Sequence, residues 1–307
     1  MRSHVADGSV NTCVTSPPYW GLRDYGEDGQ LGLEPAPAQY VENMVAVFRE
    51  VRRTLRDDGT LWLNLGDSYT PVNRGEKARP RRETMTGMQI GNPHADITTR
   101  REVIEGVKSA GLKSKDLVGI PWRVAFALQQ DGWYLRQDII WSKPNPMPES
   151  VRDRCTKAHE YIFLLSKSAK YYFDSEAIAE PAKYYGVDDR SGQGNIRYGG
   201  KRREMMDQTK AQESFVTINP TRNRRSVWTV TTKPFKGAHF ATFPPDLIEP
   251  CILAGSPVGG TVLDPFGGSG TTGLVALRHS RKAILCELNP QYVKMAEERI
   301  AKEAWLF

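Results

Sequence analysis

Apolar and polar residues alternate with recognisable periods at both ends of the chain and lose those periods in two central stretches. Asn11–Ser16 (NTCVTS) is a short β-prone run halted by Pro17-Pro18, which predicts a strand ending in a stiff turn. Val41, Met44, Val45, Phe48, Val51 and Leu55 then recur at helical spacing across Tyr40–Leu55. Asp57-Asp58-Gly59 predicts a stop, and Thr60–Leu65 the next strand. A helix is expected over Ile120–Gln130, with strands at Tyr134–Ser142 and Tyr161–Ser166. The last third repeats the alternation: a helix over Pro244–Ala254, a strand at Thr261–Leu263, a glycine-rich turn, a helix near Thr272–Arg278, a strand at Ala283–Cys286 and a helix over Pro290–Lys302. Alternating elements of this kind predict an α/β fold.

Residues 71–116 and 175–236 carry no sustained period. The first reads as a flexible basic loop, the second as a largely irregular inserted lobe. Charge sharpens that picture. Residues 71–116 hold ten Lys/Arg against six Asp/Glu, residues 175–236 hold twelve against seven, and the remainder is slightly acidic. The net charge of +6 therefore sits in two segments, as a surface for a phosphate backbone would require, although solvated loops have the same polarity. The four cysteines (Cys13, Cys155, Cys251, Cys286) form no CxxC pair and the five histidines are scattered. Neither a disulfide framework nor a metal site is expected, and a reducing cytoplasm fits. No apolar run approaches the ~18 residues of a membrane span.

Two motifs carry chemistry. Val262–Thr272 (VLDPFGGSGTT) takes a strand through a glycine-rich turn into a helix, where the backbone can approach a ligand closely. It contains a GxGxxG match from Gly268 to Gly273, with Glu287 following the next predicted strand, a pattern also found in nicotinamide-binding folds. Only one further strand and helix follow, however, so the remaining strands must come from the N-terminal part, in circularly permuted order.

The second motif is Thr15-Ser16-Pro17-Pro18-Tyr19-Trp20. An exocyclic amino nitrogen is a poor nucleophile because its lone pair is delocalised into the ring. The Ser16 hydroxyl and the Pro17 carbonyl can accept its hydrogens and draw that density back, and consecutive prolines supply the rigidity this needs. Tyr19 can stack on a flipped base. Without the glycine loop, the same hexapeptide would read equally well as a strand terminator with an aromatic plug.

Together the motifs resemble those of the β-group DNA amino-methyltransferases, the N4-cytosine/N6-adenine family. TSPPYW at 15–20 is similar to the family's catalytic motif and LDPFGGSGTT at 263–272 to its cofactor motif. The resemblance implies a Rossmann-like, S-adenosylmethionine-dependent methyltransferase fold with a circularly permuted, mostly parallel central sheet. Residues 1–174 would be its catalytic part, 175–236 the target-recognition region and 237–307 the cofactor-binding part. It further implies catalytic roles for Ser16, Pro17, Pro18 and Tyr19. The cofactor would be held by Asp264, facing the methionine amino group, with Pro265, Phe266, Gly267, Gly268, Ser269, Gly270 and Thr271. Glu287 would hold the ribose hydroxyls. Phe240 and Thr242, in His239–Pro245, would close on the methionine carboxylate. Double-stranded DNA is the implied partner. Lys143, Arg222, Arg224 and Arg225 are candidate DNA contacts, and Arg23, Asp24 and Tyr25 candidate neighbours of the flipped base. Ser16 is typical of N4-cytosine enzymes, with N6-adenine methylation the alternative. The family's Gly-Asp segment ahead of the first strand has no match, since Asp7-Gly8 lies too near Ser16. Pro250-Cys251 precedes the glycine loop and reads as core rather than as the nucleophile of a C5-cytosine enzyme. A non-catalytic DNA-binding protein on a degenerate fold is the reading of another class.

Overall fold

A computed structural model of the chain describes residues 1, 4–70, 105–182, 220–233 and 243–304. Two units divide it, Met1–Asp174 with Arg225–Phe307, and Ser175–Arg224. The strands are β1 (Val10–Thr15), β2 (Leu55–Leu65), β3 (Tyr134–Ser142), β4 (His159–Ser166), β5 (Glu180–Pro181), β6 (Thr221–Arg222), β7 (Val227–Thr229), β8 (Thr261–Asp264) and β9 (Lys282–Leu285). In the larger unit they form a seven-stranded sheet in the order β7-β3-β4-β2-β1-β8-β9, while β5 and β6 pair in the smaller unit. β1 runs parallel to both β2 and β8, and β9 is parallel to β8. β4 is antiparallel to β2 and β3, and β7 is parallel to β3. From β1 the sheet continues through β2, β4, β3 and β7 on one side and through β8 and β9 on the other. The β1–β8 boundary is therefore the switch point of the sheet, where open α/β folds bind ligands beyond the carboxyl ends of their strands.

Five helices join these strands among the described residues: α1 (Pro37–Thr54), α2 (Ile120–Gln130), α3 (Pro245–Gly255), α4 (Thr271–Arg278) and α5 (Pro290–Ala304). α1 starts on a proline that needs no N–H partner and ends with Arg52 and Arg53 at the negative end of its dipole. Its apolar stripe, Tyr40, Met44, Phe48 and Val51, is fully buried, and each such side chain stabilises the fold by about 2 kcal/mol. The stripe packs with Leu61, Leu63 and Leu65 of β2 and with Val124 and Leu128 of α2 in one core.

Most of the expected elements form within a few residues of their predicted bounds, and three differences have physical causes. β2 begins at Leu55, so Asp57-Asp58-Gly59 lies inside a strand. The pairing passes from Val10↔Leu55 to Thr12↔Thr60, so those residues bulge opposite Asn11 instead of ending the element. The irregular lobe is shorter than 175–236: the second unit ends at Arg224, and Val227–Thr229 joins the main sheet with Trp228 buried against β3. Of the flexible loop expected over 71–116, residues 71–104 lie outside the described residues. The rest includes a helical turn at 105–109 with Val107 in the core.

Candidate active site

β1 delivers two neighbouring hydroxyls, Thr15 and Ser16, to the switch point, and they engage different halves of the site. Thr15 turns to the end of β8, where its Oγ1 donates to Asp264 Oδ1 at 2.6 Å. Thr272 Oγ1 donates to Asp264 Oδ2 at 2.6 Å, and the Phe266 N–H to Oδ1 at 3.0 Å. Asp264 is 1% exposed. Burial pushes its carboxyl up to about 6, against the opposing pull of those three hydrogen bonds and aided by the charge of Glu287. The Asp264 carboxylate is enclosed, and it ties the end of β1 to the start of α4.

The glycine turn is built on close approach. The Gly267 N–H donates to the Cys286 carbonyl at 2.8 Å, and the Gly270 N–H to the Gly267 carbonyl at 2.8 Å. Gly270 has φ +78°, and a Cβ there would stand 2.8 Å from the Ala296 Cβ of α5, so both conformation and packing demand glycine. Arg299 of α5 donates to Thr271 Oγ1 at 2.9 Å and to the Ser269 carbonyl at 3.2 Å. Ser269, Gly270 and Thr271 are buried, whereas Pro265, Phe266, Gly268 and Glu287 keep partial exposure. Glu287, two residues past β9, accepts from the Gly268 N–H at 2.7 Å through Oε2. Its Oε1 accepts from the N–H groups of Leu288 (3.0 Å) and Asn289 (2.9 Å).

The proline turn is held from several sides. Tyr40 of α1 donates its hydroxyl to the Pro18 carbonyl at 2.8 Å. The Trp20 indole N–H donates to the Glu34 carbonyl at 2.8 Å, and the Gly21 N–H to the Gly32 carbonyl at 2.7 Å. Tyr19 lies on Gly66, where a Cβ would come within 2.5 Å of its ring. Its hydroxyl donates towards Glu160 Oε2 (2.8 Å) and Asn64 Oδ1 (3.1 Å), and receives the Ser16 hydroxyl at 3.3 Å. Burial, and after it the charge of Glu160, pushes the Tyr19 phenol well above its ordinary range. The tyrosine is thus held as a member of the turn's own network.

A family model described as DNA methylase matches residues 10–298. The chain belongs to this DNA methylase family. It is 49% identical over 296 residues to the Type II methyltransferase M.Cfr9I of Citrobacter freundii, covering 96% of this chain and 83% of that protein. It is 47% identical over 297 residues to M.SmaI of Serratia marcescens, covering 96% and 86%. Two solved structures share the fold. The PvuII DNA methyltransferase, titled cytosine-N4-specific, has a TM-score of 0.59 at 19% identity over 98% of this chain and 86% of that one. TTHA0409 of Thermus thermophilus, complexed with S-adenosyl-L-methionine, has a TM-score of 0.56 at 23% identity over 98% and 89%.

In this methylase, Lys143 lies beside the network of the proline turn. Its ammonium pairs with Glu160 Oε1 and lies 4.1 Å from the centre of the Trp141 ring, with the lysine side chain only 17% exposed. Sequence reasoning missed Glu160 and Asn64, whose one visible signal was a polar residue inside the apolar run TLWLNL. It also missed Asp67. That carboxylate accepts the N–H groups of Gly119 (3.0 Å) and Ile120 (3.1 Å) at the start of α2, and burial raises its pKa despite Lys157 nearby.

The charge of Arg23 acts on the Tyr25 and Tyr292 phenols, and that of Glu287 on both as well. The basic cluster divides: Arg222 pairs with Glu180 at 3.1 Å and Arg224 closes the smaller unit, whereas Arg225 opens the second stretch of the larger one. Cys251 is fully buried in α3, as core. Phe240 and Thr242 lie outside the described residues. No helix among the described residues is long and apolar enough to cross a membrane.

Proposed function

We propose that this methylase transfers a methyl group from S-adenosylmethionine to the exocyclic N4 of a cytosine flipped out of double-stranded DNA. One observation carries the reading. The proline turn and the glycine loop leave adjacent parallel strands at the switch point of the sheet, and Asp264 ties them together through Thr15 and Thr272.

The donor set of the glycine loop fits the cofactor. Glu287, partly exposed beside the Gly268 N–H, offers carboxylate oxygens to a pair of ribose hydroxyls, while Pro265, Phe266 and Gly268 are partly exposed in the same loop. S-adenosylmethionine supplies an electrophilic methyl group on a cationic sulfur. What remains for the protein is positioning and charge withdrawal. The Pro18 carbonyl is taken by Tyr40. The Ser16 hydroxyl and the Pro17 carbonyl are therefore the groups that receive the amino hydrogens of the base and make its nitrogen more tetrahedral. A serine, rather than a carboxylate or carboxamide, heads the turn, which favours cytosine over adenine. Residues 175–236 serve target recognition, with Arg222, Arg224 and Arg225 as their candidate DNA contacts.

Incubation with mixed-sequence duplex DNA and methyl-labelled cofactor, followed by mass spectrometry of the nucleosides, tests this directly. N4-methylcytosine is expected. N6-methyladenine would overturn the base assignment, and the absence of product on every duplex would favour a non-catalytic DNA-binding protein.

A further inference from the structure

The hydrogen bonds around Tyr19 determine which way each proton points. The Asn64 amide nitrogen donates to the Tyr161 carbonyl at 3.0 Å, so its oxygen must face Tyr19. The other close partner of the Tyr19 hydroxyl is a carboxylate oxygen, Glu160 Oε2 at 2.8 Å. Neither oxygen carries a proton to give. Tyr19 has one proton, which goes to one of these two acceptors, so its own lone pair can be satisfied only by Ser16, 3.3 Å away. The Ser16 proton is thereby turned inward, and the serine oxygen presents lone pairs on its remaining side. Lys143 occupies Glu160 Oε1, which leaves Oε2 directed at Tyr19 and Asn64.

We propose that Glu160 is the terminal proton acceptor of a relay that runs from the target amino group through Ser16 and Tyr19, with Lys143 and Asn64 as its positioning residues. The proposal rests on Ser16 heading the catalytic turn. As the target nitrogen gains a methyl group it must lose a proton to return to neutrality. One N–H bond breaks and its electron pair stays on nitrogen. The proton passes to Ser16 Oγ, the original Ser16 proton passes to the Tyr19 oxygen, and the original Tyr19 proton passes to Glu160 Oε2. Both hydroxyls end as they began, with protons reversed in direction, and the carboxylate ends protonated. The Glu160 side chain is 16% exposed, enough for water to take that proton away before the next turnover. Three side chains from two elements thus act as one chain, in which the turn after β1 supplies Ser16 and Tyr19, and β4 supplies Glu160.

The relay is tested with Tyr19→Phe, which deletes one oxygen, Glu160→Gln, which keeps the shape but replaces an acceptor by a donor, and the double variant. Kinetics are measured on duplex DNA with labelled cofactor, cofactor affinity by calorimetry, and folding by thermal melting. Each single variant is expected to lower kcat about 100-fold, the range of a positioned acid or base, with cofactor affinity, DNA KM and melting temperature unchanged. The double variant is expected to lose no more than the worse single one, because both cut the same chain. Either single variant turning over at the wild-type rate, or losses that multiply in the double variant, would overturn the relay. Ser16→Ala serves as the separate control. If it retains turnover, the catalytic assignment of the turn fails. If it is inactive while Tyr19→Phe and Glu160→Gln are fully active, only the relay fails.

Discussion

Asp264 and Glu160 stand at the same edge of the sheet, on either side of the turn that ends β1, and the protein treats them in opposite ways. Asp264 is enclosed with no basic partner among the described residues, satisfied by two threonine hydroxyls and one N–H, and its carboxyl is driven upward by burial. Glu160 keeps a cation, Lys143, on one oxygen and a chain of hydroxyls on the other. The first arrangement is a joint between two strands. The second joins a cation to the hydroxyls of the proline turn. Sheet direction explains how both reach one edge. Asp264 ends a strand parallel to β1, whereas Glu160 lies near the start of β4, which runs antiparallel to β2 and so returns its amino end to the site.

The contrast can be broken from either side. The largest effect is expected for Tyr19→Ala, which removes the ring from Gly66 and the hydroxyl from Glu160. Turnover should fall by at least about 1,000-fold, as when a transition-state hydrogen bond is lost, with calorimetric cofactor affinity nearly intact. Asp264→Ala should act on the other half. It strands the Thr15 and Thr272 hydroxyls and the Phe266 N–H in the interior, which costs about 3 kcal/mol in chemical denaturation. Cofactor binding should weaken with it.

The same residue gives a pH signature. A carboxyl raised from 3.8 to about 6 on folding favours the folded state while it is protonated. Its contribution is therefore whole below about pH 4 and is lost as pH rises through 6, an effect of about 3 kcal/mol. Denaturation of the wild type against Asp264→Asn across that window should show the wild type losing relative stability, and parallel curves would refute the assignment. Gly270→Ala, forced into a left-handed conformation against Ala296, should cost about 2 kcal/mol by the same assay. Arg222→Ala, which breaks a partly exposed pair with Glu180, should shift stability by less than about 1 kcal/mol.

The parallel strands and their helices were legible because burial on both faces leaves long apolar runs such as TLWLNL, and because Gly and Pro mark the turns. The glycine loop was legible for a related reason: it is contiguous, so Asp264 and Gly270 announce themselves within ten residues. The network around Tyr19 is contiguous only in Ser16–Tyr19. Asn64 and Glu160 reach Tyr19 through the register Asn64↔Ile162 between two strands nearly a hundred residues apart, and no local period encodes that. Lys143 was visible as a cation, but its carboxylate partner Glu160 was not. β7 was missed because three residues, Val227–Thr229, in a basic stretch are too short to show alternation. Their place in the sheet is fixed by Trp228 and Trp141 instead.

The central claim is that the two halves do separable jobs, one holding the cofactor and the other activating the amino group. Ser16→Ala tests it most directly when single-turnover methylation and calorimetric cofactor binding are measured on the same preparation. The expected result is cofactor binding equal to that of the wild type with methylation abolished. Methylation at the wild-type rate, or loss of cofactor binding together with activity, would contradict it.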